Sequence, residues 1–138
     1  RCSNVVQWSI SVDRIMRRHE VEKATGLSKS SIYVMMPKGT FYVFPSVKVI
    51  CNRYRITSHG LALFLLEAAD ADYGVACLGG ECFGEAGGGF LRLSCAEPDS
   101  RLQEAVTFIG DAVKRVMRIE KYLESHPEYR LSSPYAAD

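Results

Sequence analysis

"GVACLGGECFGEAGGGFLRLSC", residues 74–95, decides how this chain is built. Its flanks read as two short strands, "YGVACL" (73–78) and "FLRLSC" (90–95), joined by the glycine-rich stretch "GGECFGEAGGG" (79–89). Successive side chains of a strand point to opposite sides, so Leu91, Leu93 and Cys95 share one face while Phe90, Arg92 and Ser94 share the other. The glycine stretch holds neither G-K-[ST] nor G-x-G-x-x-G, and it leads from strand to strand. No helix N-terminus is therefore at hand to complete a phosphate cradle. A long hairpin connection whose glycines accept positive φ is the simpler expectation.

Working outward, "TFYVF" (40–44) has the aromatic and β-branched composition of a strand, opened by a turn at Pro37, Lys38 and Gly39 and closed by Pro45. Ahead of it, the spacing predicts a helix over 13–25 stopped by Gly26, and a second from Ser28 to Pro37. Thr57 or Ser58 can cap a helix through "GLALFLLEAAD" (60–70), whose apolar residues cover most of its circumference, so it should be largely buried. Beyond the hairpin, residues 99–125 read as one long amphipathic helix. Ser100 and Gln103 stand at capping-box spacing, and Leu102, Val106, Ile109, Val113 and Val116 form a stripe. His126 and Pro127 end it, and residues 131–138 read as a loosely ordered tail. Two helices in front of strands with packing helices indicate an α+β domain over 1–138, a small antiparallel or mixed sheet packed by helices.

Composition narrows the function classes. The chain has 138 residues, 47% of them hydrophobic, which is enough for one real core. Its 17 basic and 16 acidic residues leave a net charge of +1, so nothing draws the whole chain to nucleic acid or membrane. The five cysteines contain no C-x-x-C pair and none lies near a histidine in sequence, which argues against a zinc site. An odd number of thiols with no signal peptide fits a reducing cytoplasm. No apolar run approaches the ~20 residues of a membrane span. The first residue is Arg1 rather than Met, and the expectation is a piece of a longer protein.

Arg92 is the candidate that spacing alone leaves open. An arginine between core-facing leucines can be an ordinary exposed strand residue, or its planar fork can hold a carboxylate bidentately. A resemblance bears on the choice. "PKGTFYVFP" (37–45), "GVACLGGECFGEAGGGFLRLSCAEPDSRLQEA" (74–105) and the following helix to about residue 130 resemble the C-terminal small domain of class I/II, fold-type I aminotransferases, enzymes dependent on pyridoxal phosphate. "RCSNVVQWS" at the start is similar to the segment that precedes that family's interdomain helix. The resemblance implies that Arg92 grips the α-carboxylate of an amino acid or 2-oxo acid substrate. That grip orients Cα–H perpendicular to the cofactor plane, the cofactor serving as electron sink. It further implies that Gly79, Cys82, Phe83 and Gly84 border the substrate entrance and move with domain closure.

The Schiff-base lysine, the aspartate facing the pyridine nitrogen and the phosphate ligands of that family sit in a large domain, upstream of where Arg1 aligns. The expectation is thus a substrate-binding portion that is inactive alone and completed by a missing large domain, which would bring the pyridoxal phosphate. No catalytic residue is assigned within these 138 residues, and the chain's standing as an enzyme stays open. Lys29 in "GLSKSS" sits in a serine-containing tripeptide like that family's lysine, but Ile32, Tyr33, Val34, Met35, Met36 and Pro37 follow in place of small residues and an arginine. A solvated lysine is the expectation there.

Residues 14–36, "RIMRRHEVEKATGLSKSSIYVMM", are similar to a different family, the short AlpA-like regulators with a MerR-like or excisionase-like helix-turn-helix. Val21 and Ala24 would pack inward, Gly26 would make the turn, Leu27 would fill the corner and Ile32 would anchor the second helix. The resemblance implies that Ser28, Lys29, Ser30 and Tyr33 face a DNA groove and that Arg14, Arg17 and Arg18 meet phosphates. The alternatives to an aminotransferase portion are therefore a DNA-binding transcriptional regulator and a non-catalytic folded fragment. Two ordinary amphipathic helices, or a structural replacement without DNA contact, remain open for this segment.

Overall fold

The computed structural model describes residues 5–6, 32–33, 42–94 and 99–137, giving the backbone alone for 5–6, 32–33 and Asp99. In chain order the strands are β1 (Val5–Val6), β2 (Ile32–Tyr33), β3 (Tyr42–Pro45), β4 (Gly74–Val75), β5 (Leu78–Gly79) and β6 (Leu91–Ser94). The helices are α1 (Lys48–Tyr54), α2 (Ser58–Glu67), α3 (Asp99–Ala112) and α4 (Val116–Ser125). The antiparallel order β2-β3-β6-β5 makes the main sheet, and β1 pairs with β4 in parallel beside it. Helices set against a small, mostly antiparallel sheet make this an α+β fold.

The hairpin forms as its sequence suggests. Leu78 pairs with Arg92 and Gly79 with Leu91, while Tyr42 pairs with Ser94 and Val43 with Leu93. "YGVACL" is not one strand, however: its first half pairs with β1 and only Leu78–Gly79 joins the hairpin. Alternation holds in β6, where Leu91 is buried and Leu93 packs against the core. Cys95 lies outside the described residues.

α2 is the centre of the core. Thr57 caps it, its hydroxyl oxygen accepting from the Gly60 N–H at 3.0 Å, and Ser58 becomes the first helical residue. Leu61, Phe64 and Leu65 are fully buried, each worth about 1.5–3 kcal/mol of transfer out of water. At its far end Arg115 donates to the Ala69 carbonyl at 2.5 Å and to Asp70 Oδ2 at 2.7 Å. A cation against the last carbonyls of a helix offsets their partial negative charge.

Three expectations are corrected. The long C-terminal helix is two helices, broken between Ala112 and Val116. Leu102, Ala105, Ile109, Ala112 and Val113 are buried before the break and Ile119, Tyr122 and Leu123 after it, while Val116, which one continuous helix would place on the same stripe, is exposed. Arg115, in the break, is thereby free to reach the end of α2. The tail is not loose. Leu131 is buried, its N–H donates to the Arg55 carbonyl, and Tyr135 exchanges two hydrogen bonds with the Asn52 amide at 2.8 and 3.0 Å. The helix expected from Ser28 to Pro37 does not run through Ile32–Tyr33, which pair as a strand with Pro45 and Phe44. There the β-branched and aromatic pair completes the sheet edge instead. The rest of that expected helix, and the one over 13–25, lie outside the described residues. α1 was not foreseen; it buries Ile50 and Cys51 and ends on Arg55 in the left-handed region at φ 57°.

Candidate functional site

The glycine-rich connection is a folded object. It consists of two tight 3-10 turns, Gly80–Phe83 and Glu85–Gly87, separated by Gly84 at φ 110°. That backbone conformation is one L side chains rarely adopt, which explains the glycine. Gly80 and Gly87 pass so closely that a Cβ on either would stand about 2 Å from the other's carbonyl oxygen. Gly80 N–H donates to the Phe90 carbonyl at 2.7 Å, and Val47 N–H to the Gly89 carbonyl at 2.8 Å, so both ends are tied to the sheet and to α1.

On the loop's inner side Glu81 reaches the start of α2. Its carboxylate accepts the Ser58 hydroxyl at 2.5 Å, the Ser58 N–H at 3.1 Å and the Tyr135 hydroxyl at 2.5 Å. In turn Ser58 Oγ accepts from Gly89 N–H at 3.0 Å, and the Tyr135 oxygen accepts from Ser58 N–H at 3.1 Å. Each hydroxyl thus gives one hydrogen bond and takes one. Burial and the Glu81 hydrogen bond push the Tyr135 phenol up to about 12, and burial followed by the Glu81 charge raises the Cys51 thiol. Burial also pushes the Cys77 thiol up to about 12. A thiol held protonated in this way is a poor nucleophile.

The outer side carries Arg92. Strand register sets Tyr42 beside Ser94 and Phe44 beside Arg92 on one sheet face, and the first 3-10 turn brings Phe83 over it. The Arg92 guanidinium carbon lies 3.6 Å from the centre of the Tyr42 ring and 4.8 Å from that of Phe83. Phe83 in turn meets Phe44 edge to face, with centroids 5.8 Å apart. Tyr42 and Phe83 remain 38% and 48% exposed, so this face is open to water. Among the described residues no carboxylate pairs with Arg92, whereas Arg101, Lys114 and Arg115 each have one.

Of the entrance residues, the fold brings the Phe83 ring to Arg92 and sets the Gly79 backbone one register position from it, opposite Leu91. Cys82 turns toward α2, its sulfur 3.9 Å from His59 Nδ1. Gly79 is buried against the His59 backbone, and Gly84 sits at the exposed tip. Tyr42 and Phe44 were missed as neighbours of Arg92, since only the β3–β6 register reveals them. Arg17, Arg18, Ser28, Lys29 and Ser30 lie outside the described residues, and Tyr33 is described only as backbone in β2. Among the described residues no group of three metal-ligating side chains occurs, and no helix is long and apolar enough to cross a membrane.

An aspartate aminotransferase of Pyrococcus abyssi is 34% identical over 96 residues, which are 69% of this chain and 21% of that protein. The chain resembles aminotransferases over about two thirds of its length. The aromatic-amino-acid aminotransferase 2 of Thermococcus litoralis is 28% identical over 95 residues, again 69% of this chain and 21% of the relative. The chain thus spans about a fifth of the length of these curated relatives. The solved aromatic aminotransferase of Pyrococcus horikoshii aligns with 77% of this chain and 25% of its own, at 28% identity and a TM-score of 0.46. Residues 14–48 match the family model of the prophage CP4-57 regulatory protein AlpA. The helix-turn-helix resemblance is therefore real in sequence, although Ile32 and Tyr33 are extended in the structure.

Proposed function

We propose that this chain is the substrate-carboxylate-binding portion of a pyridoxal phosphate-dependent amino acid aminotransferase, with Arg92 as the carboxylate clamp. The observation that carries the reading is the Arg92 fork on an open sheet face, free of any carboxylate among the described residues and flanked by aromatic rings. Bidentate charge-assisted hydrogen bonds from such a fork fix both the position and the plane of a carboxylate. The substrates would be amino acids and 2-oxo acids.

The described residues do not fit the cofactor itself. Lys48 lies with its ammonium 5.0 Å from the centre of the Phe90 ring, Lys114 faces Asp111 at 3.8 Å, and Lys121 is exposed on α4. The Lys114–Asp111 pair is exposed on both sides. The cofactor's attachment and its chemistry would reside in a large domain that this chain completes. Supplying the large domain of an aminotransferase relative should give transamination with added pyridoxal phosphate, whereas the chain alone should give none. Turnover by the chain alone would contradict its role as a partner to that domain.

The match of residues 14–48 to the AlpA model favours a second reading, a DNA-binding regulator. It predicts duplex binding that weakens steeply with salt and is lost on changing Arg17 and Arg18. The absence of a gel shift at low salt would remove it.

A further inference from the structure

We propose that Tyr42 and Phe83 are positioning residues for Arg92, holding its guanidinium flat so that its N–H edge is presented to a planar anion. This rests on the carboxylate-clamp reading and adds to it which residues orient the clamp. At 3.6 Å from the Tyr42 centroid the guanidinium carbon is at van der Waals contact with the ring. A guanidinium reaches that spacing only when it lies roughly flat on the ring, because an N–H aimed at the face would hold the carbon further away. Lying flat, it keeps its in-plane donors directed outward while the ring quadrupole attracts the charge. Phe83 adds a second ring at 4.8 Å and is itself braced edge to face by Phe44. The two rings come from different places, β3 and the first turn of the hairpin loop, and the hydrogen bonds of Glu81 anchor that turn. A half-buried arginine on an open face would otherwise sample many rotamers, and freezing it before a ligand arrives removes that ordering cost from binding.

The test is a titration of the full chain with pyruvate, the smallest 2-oxo acid, using pyruvamide as the uncharged control and reading the Arg92 side-chain Nε–H resonance by NMR. In the wild type that resonance should carry a ring-current shift and should move with pyruvate but not with pyruvamide. Tyr42→Leu and Phe83→Leu should each reduce the ring-current shift and weaken pyruvate by about two- to fivefold, Tyr42 more than Phe83 because it is closer. Tyr42→Phe should keep both. If Arg92→Lys retains wild-type affinity, or the wild type does not respond to pyruvate, the clamp reading fails and this inference with it. If Arg92→Lys loses binding while both leucine variants keep wild-type affinity, the clamp stands and the positioning role is overturned. Weaker binding with no change in the Nε–H resonance would also overturn it, since the rings would then act by general loosening.

Discussion

The two sides of the hairpin loop are held by different forces. On the inner side Ser58, Glu81 and Tyr135 form a closed hydrogen-bond circuit at the start of α2, with Ser58 fully buried. On the outer side Phe83 and Arg92 meet Tyr42 and Phe44 through ring faces and edges, and the surface stays open to water. A buried polar circuit is expensive to leave half-satisfied, so it fixes one backbone path. Stacking contacts at a surface are weaker and leave the in-plane donors of the guanidinium open to a ligand. The difference teaches that the inner side specifies the loop's shape while the outer side carries whatever the loop presents.

The comparison can be broken most decisively at Gly80. Gly80→Ala places a methyl group on the Gly87 carbonyl, and urea unfolding should show a loss of about 3 kcal/mol. A loss well under 1 kcal/mol would mean that the loop shifts freely. Glu81→Ala should come next, costing about 1–3 kcal/mol by leaving the Ser58 and Tyr135 hydroxyls without their acceptor. Tyr135→Phe should cost less, about 1 kcal/mol, and should change the alkaline limb of stability. The folded-state phenol is raised from 10.0 to about 12, so its contribution is complete below pH 10 and declines as pH rises toward 12. The variant's stability should fall less over that window, and an unchanged slope would contradict the circuit. Smallest of all, Phe83→Ala should alter stability by no more than about 0.5 kcal/mol, as expected of an exposed side chain. A large loss there would erase the distinction between the two sides.

Much of this division was legible in the sequence. Alternation in "FLRLSC" put Leu91 and Arg92 on opposite faces, the glycines of 79–89 announced a hairpin with positive φ, and the all-round apolar "LALFLL" announced a buried helix. What escaped was long-range. The Ser58–Glu81 contact spans 23 positions and Tyr135–Glu81 spans 54, and no local pattern encodes either. α1 was hidden because "VKVI" has strand-like β-branched composition, which its packing against the core overrides. The break before Val116 carries no glycine or proline. Arg115 within it reaches Ala69 and Asp70 just beyond α2, contacts that no local pattern encodes. The neighbours of Arg92 depended on strand register, so the residue itself could be singled out from sequence while Tyr42 and Phe44 could not.

The most direct measurement is kcat/KM for transamination by this chain joined to the large domain of an aminotransferase relative, compared between wild type and Arg92→Ala. Loss of a charged, hydrogen-bonded contact of about 1.5–3 kcal/mol predicts a fall of roughly 10- to 150-fold, with KM for the 2-oxo acid rising. An active fusion whose kcat/KM is unchanged by Arg92→Ala would contradict Arg92 as the carboxylate clamp.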